Sequence, residues 1–182
     1  MGELSKSIIT RKIIGEEDYK PQIYPCTEKK WTGGVGINLE ARPMPIEVLN
    51  LWAELKPEFD LLNCSEFVKG IHIAKSGLPH DVWDLWFELI IDGVINGAAN
   101  MLHDHYDVCF GDQPEDCQIV IVDCCYQIGI DGFSLFRKTI GHIKNMDYMS
   151  ASIELMNSKY ARQTPERAER NRDLLIGCGC KL

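Results

Sequence analysis

The sequence predicts an α+β fold that is mostly helical, with a small β region near the N-terminus. Three observations predict it. Residues 22–38 hold the β-prone Trp31, Thr32, Val35 and Ile37, punctuated by Pro21, Pro25, Gly33, Gly34 and Gly36. Residues 78–102 (LPHDVWDLWFELIIDGVINGAANML) repeat apolar side chains at helical spacing: Val82, Leu85, Trp86, Leu89, Ile90 and Val94. Helical patterns then fill most of the chain beyond residue 116.

Taken in order, residues 3–15 read as a short helix, with Leu4, Ile8, Ile9 and Ile13 on one face and Gly15 loosening its end. Short strands and turns follow over 22–38. Residues 45–56 read as a helix with Val48, Leu49, Trp52 and Leu55 on one stripe, stopped by Pro57. Residues 58–77 are ambiguous, broken by Gly70 and Gly77. In the 78–102 helix, Pro79 suits the first turn, and Asp81 and Asp84 complement the helix dipole. At about 1.5 Å per residue it reaches over 30 Å, a length that often joins two lobes. Residues 103–116 are polar and loop-like, and helices follow at about 116–128, 134–143 and 147–156. The last element starts at Gln163-Thr164-Pro165-Glu166, with Thr164 as N-cap, Pro165 in the first helical position and Glu166 at the positive end. No internal repeat or low-complexity segment is visible.

A chain of 182 residues with 45% hydrophobic content is expected to form one domain, residues 1–182, with ample core. No uninterrupted apolar run approaches the roughly 18–20 residues of a membrane span, so membrane insertion is not expected. The opening MGELSKSIITRKIIGEE carries charge throughout and reads as neither secretory signal nor anchor. Eight cysteines are scattered through the chain, so reduced thiols in a cytosol are expected. The net charge of −8 argues against a nucleic-acid partner.

The segment IGEEDYKPQIYPCTEKKWTGGVG, residues 14–36, places a carboxyl, a thiol and a hydroxyl ahead of a glycine-rich strand. Glu17, Cys26 and Thr32 stand there at the spacing of the catalytic Glu, Asp or Cys, and Thr of the T-even phage type of lysozyme, glycoside hydrolase family 24, which the chain resembles. The resemblance spreads further. Residues 78–101 are similar to the start of the family's interlobe helix, and IVIVDCCYQIGIDGFSLF to its helix-and-turn. NSKYARQTPERAERNRDLL is similar to its C-terminal stretch, fixing Gln163, Thr164, Pro165, Arg167 and Arg170 together. Residues 38–77 match poorly. Asp18 stands where a glycine is usual, Ile37 where a histidine is usual, and Lys29 replaces a turn glycine. The negative charge departs from a family that is mostly basic.

The resemblance implies a two-lobed lysozyme-like fold. Residues about 14–77 would form a small β-containing lobe, and residues about 78–182 with the first helix a helical lobe. It implies a muramidase that hydrolyses the β-1,4 bond between N-acetylmuramic acid and N-acetylglucosamine with inversion, without cofactor or metal. Glu17 at the end of the first helix would donate the proton, with Glu16 as the register alternative. Cys26 and Thr32 would place water on the opposite face; a free thiol titrates near about 8.5 and is mostly neutral at pH 7. Arg167 would pair with Glu17, Arg170 would support Glu16 or the substrate, and Gln127 and Tyr160 would contact sugar. The alternative for Gln127 and Tyr160 is a core or capping role. The expected partner is peptidoglycan, met by a monomer that waits in the host cytoplasm for a separate membrane-permeabilising partner such as a holin, with carriage in a virion or secretion as an antibacterial effector as the alternatives.

Two rivals come from other classes. A catalytically inactive lysozyme-like binding or structural module is favoured by cysteine in place of aspartate, the acidic charge and the lost glycine. A thiol hydrolase using Cys26 would need a histidine, and the closest in sequence is His72. His103, His105, Cys109 and Cys117 lack the paired CxxC of strong zinc motifs, so polar loop residues and buried thiols are expected there. Cys178 and Cys180 lie in a glycine-rich tail and read as flexible thiols.

Overall fold

The computed structural model describes residues 8–10, 12–13, 15, 19–26, 29–40, 42, 44–55, 71–72 and 77–179. The fold is α+β and mostly helical, with one small antiparallel sheet near the N-terminus. The chain divides into two compact units, residues 10–90 and residues 1–9 with 91–182. Residues 8–10, 12–13 and 15 are helical, and Ile9 and Ile13 are buried as their pattern predicts.

In the 10–90 unit, strands β1 (Lys20–Pro25), β2 (Trp31–Gly34) and β3 (Ile37–Asn38) pair in sequence order. Val35 and Gly36 link β2 to β3, with Gly34 at φ +56° and Gly36 at φ +77°. Both φ values lie in the left-handed region that glycine enters without steric cost. Helix α1 (Ile46–Leu55) buries Val48, Leu49 and Trp52. Leu55, expected on the same stripe, sits at the helix end and is exposed.

Helix α2 runs from His80 to Tyr106, beyond the expected end at 102, so the predicted loop starts later. Its buried side is also rotated from the expected one. Val82, Trp86 and Val94 are buried as predicted, but Trp83, Phe87 and Ile91 join them, while Leu85, Leu89 and Ile90 are only half-buried. The cause is Trp83. Its ring lies against the backbone of Gly33 and Gly34, so that a Cβ at either would come within 2.7 and 2.6 Å of it. Its indole N–H donates to the Pro21 carbonyl at 3.1 Å, and its ring stacks on Trp86 at 5.3 Å. Helix α2 is long and apolar enough to cross a membrane by length and composition alone, a test that the core helix of a soluble protein also passes.

The helix stops through a hydrogen-bonded cap that its sequence does not advertise. Asp107 takes φ +53°, its amide donates to the His103 carbonyl, and the Val108 amide donates to the Leu102 carbonyl. This is the Schellman arrangement with aspartate in place of glycine. Lys144 Nζ completes it, reaching the Tyr106 carbonyl at 2.9 Å and Asp107 Oδ2 at 3.2 Å, a cation at the negative helix end.

The other unit is helical. Helix α3 (Glu115–Ile128) is buried continuously from Cys117 to Tyr126, with Gln118 and Asp123 as the polar members of that buried run. Around it come α4 (Ile130–Ser134), α5 (Arg137–Lys144), α6 (Tyr148–Met156), α7 (Lys159–Gln163) and α8 (Pro165–Gly179). The short α4 and α7 were not separable by periodicity. Asp147 caps α6 by accepting from the Ser150 amide, and Ser158 caps α7 by accepting from the Ala161 amide. Pro165 is the first residue of α8, as expected, and the preceding Thr164 hydroxyl donates back to the Tyr160 carbonyl. Cys178, read above as a flexible tail thiol, is fully buried in α8; Cys180 lies outside the described residues.

Gly34→Ala is expected to cost several kcal/mol, since it adds left-handed strain of about 1–2 kcal/mol to overpacking of about 1–3 kcal/mol against Trp83. Urea unfolding of wild type and variant measures this; a loss below about 1 kcal/mol would mean that the indole moves away freely.

Candidate functional site

The hairpin carries two of the three predicted catalytic side chains. Cys26 directly follows β1. Its amide donates to the Lys30 carbonyl at 2.9 Å, and the Lys29 amide donates to the Cys26 carbonyl at 2.8 Å. Lys29 adopts φ +60°. The left-handed turn costs roughly 1–2 kcal/mol for a residue with a side chain. Tyr24 stands opposite Thr32 and Pro25 opposite Trp31. Alternation along the ladder then makes Cys26 and Thr32 diagonal neighbours on one face, a relationship that typically spans roughly 7–8 Å.

Thr32 is 5% exposed, and its Oγ1 donates to the Lys30 carbonyl at 3.2 Å. With its proton committed there, the hydroxyl can meet a water only as an acceptor. Cys26 is half-buried. Glu17, its register alternative Glu16, and Asp18 lie outside the described residues.

The helical unit holds a second polar constellation, and its centre is a residue that the sequence reading passed over. Asp123 interrupts the apolar run of α3 and is 4% exposed. Its Oδ2 accepts from Asn171 Nδ2 at 2.7 Å and from the Tyr160 hydroxyl at 3.4 Å. Its Oδ1 lies 3.1 Å from Arg167 Nε. The N–H is not aimed along that line, so the contact is a charge pair rather than an aligned hydrogen bond. Asn171 Nδ2 also donates to the Tyr160 oxygen at 3.0 Å. A carboxylate in an apolar helical run has to be compensated, and that lone acid in IVIVDCC was the available signal.

The predicted supporting residues take distinct places in this unit. Arg167 is the third residue of α8 and its side chain is 12% exposed. It pairs with Asp123, while the expected pairing with Glu17 falls outside the described residues. Tyr160 is 2% exposed, and burial, then Cys124 and Asp123, push its phenol far above the ordinary range. Its ring also lines a cavity of about 600 Å³ with Ile128, Phe136 and Gln163. Gln127 is half-buried in the last turn of α3. Arg170 is exposed and lines a pocket of about 310 Å³ with Thr164 and Arg167.

The residues weighed as a metal cluster are dispersed in character. His103 and His105 are exposed, whereas Cys117 is fully buried and hydrogen bonds to Gln113 at 4.0 Å. Among the described residues, only His80, Asp81 and Asp84 bring three possible ligand atoms within 4.8 Å of one another, and His80 Nδ1 is already paired with Asp84 at 2.7 Å. Burial raises the Cys117 and Cys124 thiols well above their usual range and the Cys125 thiol to about 12. No protein-family model matches the chain, and no curated protein is significantly similar to it.

Two outcomes test this geometry. Arg167→Ala should destabilise by about 3–5 kcal/mol, because it strands the buried Asp123 charge. Arg172→Ala, which removes a contact with the adjacent exposed Asp173, should cost under about 1 kcal/mol by urea unfolding. Equal small effects would take Arg167 out of the network. Separately, native alkylation followed by peptide mass analysis should label Cys26 and Cys109 well before Cys117, Cys124, Cys125 and Cys178.

Proposed function

We propose that this chain is a peptidoglycan muramidase of two-lobed lysozyme-like build, acting by inversion. The observation that carries the proposal is the hairpin: a half-buried thiol and a threonine hydroxyl on one face of a glycine-backed turn, six residues apart in sequence. Glycoside hydrolysis with inversion needs an acid for the leaving oxygen and acceptors that hold a water on the opposite face of the sugar. Thr32, limited to accepting, orients such a water so that its lone pair is free for the anomeric carbon. Cys26 offers a second acceptor, and its thiolate fraction takes the proton that the water loses as its oxygen bonds to the anomeric carbon. Glu17 donates the proton to the leaving oxygen, which departs as the sugar hydroxyl. Arg167, Gln127, Tyr160 and Arg170 support the substrate or the acid. Delivery to the wall falls to a separate membrane-permeabilising partner.

One observation favours the inactive-module alternative. Thr32 is only 5% exposed, which leaves little room for a water beside it. The two readings separate on purified protein and outer-membrane-permeabilised cells. A muramidase clears the suspension and releases reducing sugar ends, and an inactive module binds wall fragments and releases none.

Glu17→Gln is expected to abolish clearing with an unchanged melting curve, whereas Cys26→Asp retains activity and Cys26→Ala loses at least about tenfold. Full activity in Cys26→Ala would reduce Cys26 to a structural thiol. Near-native activity in Glu17→Gln with none in Glu16→Gln would move the acid by one residue.

A further inference from the structure

We propose that the surface formed by Leu135, α5, α6 and the start of α7 docks peripherally on an anionic lipid bilayer. Among the described residues, four of the seven exposed large apolar side chains fall within residues 135–153. They are Leu135 (71% exposed), Met146 (59%), Met149 (53%) and Ile153 (55%). Met149 and Ile153 are one turn apart on α6, and Asn157 continues their line at the same spacing. Asn157 and Leu135 both line the cavity of about 600 Å³. The apolar stripe of α6 thus leads to a concavity with Leu135 and Phe136 on its wall.

Charge marks the same surface. Arg137, Lys138 and Lys159 also line that cavity. Lys138 pairs with Glu154 at 3.8 Å yet remains 78% exposed, so the pair is weak and leaves the cation available. Residues 134–163 carry five Lys and Arg against two Asp and Glu, a net +3 within a chain of −8. Cations grouped around solvent-exposed Leu, Met and Ile are the composition of a surface that rests at the headgroup boundary. Arg137, Lys138 and Lys159 would pair with lipid phosphates, while Leu135, Met149 and Ile153 enter the acyl boundary. A second copy of the chain fits worse, because a two-fold contact would set this basic surface against itself. A nucleic acid would satisfy the cations and leave the apolar side chains in water.

Co-sedimentation of the full chain with phosphatidylglycerol–phosphatidylcholine vesicles, and with phosphatidylcholine alone, tests the proposal. The protein is expected to pellet with the anionic vesicles at low salt, to stay in solution with neutral ones, and to be released near 1 M salt, where charges are screened beyond about 3 Å. Each surface cation contributes about fivefold in partitioning. Arg137→Glu with Lys138→Glu should therefore weaken binding by at least about 25-fold, with an unchanged melting curve. Met149→Ser with Ile153→Ser should weaken it while keeping its salt dependence. Absence of binding, equal binding to neutral vesicles, or insensitivity to the charge reversal overturns the proposal. So does a concentration-dependent dimer that Ile153→Ser dissolves.

Discussion

The packing of Trp83 on Gly33 and Gly34 is the constraint from which the hairpin unit takes its form. An indole can lie on a strand only where the strand presents bare backbone, and these two glycines present it. The contact decides which side of α2 is buried, because the helix rotates until Trp83 meets the strand and Trp86 stacks behind it. It also ties β1 to the same helix, through the indole N–H on the Pro21 carbonyl. The turn holding Cys26 and the strand holding Thr32 are thus fixed from one point of the core. Glycine here serves two physical ends at once: Gly34 needs its left-handed φ and its missing Cβ.

The helical unit is organised by an opposite kind of constraint, a charge that cannot be left alone. Asp123 sits in a helix buried continuously from Cys117 to Tyr126, and Asn171, Tyr160 and Arg167 answer that burial. Asn171 and Arg167 come from α8, and Tyr160 from α7, so one carboxylate registers two helices against α3. Buried pairs of this kind contribute little net stability compared with apolar packing, but losing one partner is expensive. Their structural value lies in direction: an apolar contact tolerates sliding, whereas two donors and a guanidinium converging on one carboxylate do not.

What could be read from the sequence divides along the same line. Helix existence was legible from period and caps, and α1, α2, α3, α5, α6 and α8 all correspond to predicted segments. The end of α2 was not, because its cap uses Asp107 in a conformation normally signalled by glycine, braced by a lysine distant in sequence. The buried side of α2 was misjudged by about one position, since apolar periodicity cannot tell Leu85 from Trp83 when both are hydrophobic. A close backbone approach decided it. Cys178 reads as tail because glycines flank it, yet it fills a fully buried place on α8. Within the candidate site, Cys26, Thr32 and Arg167 were singled out through the family resemblance, while Asp123 went unremarked although a lone acid among Ile, Val and Cys is itself a sign of a partner.

Asp123 also bears on a difficulty within the muramidase proposal. An arginine beside a carboxyl lowers its pKa, and a proton donor needs the opposite. A guanidinium whose charge is already balanced by a buried aspartate exerts a weaker net field on any further acid, because the two source charges lie only 3.1 Å apart and largely cancel at longer range. The buried pair thus acts twice with one geometry. It fixes α8 against α3, and it leaves a weaker positive potential around Arg167 than a lone guanidinium would.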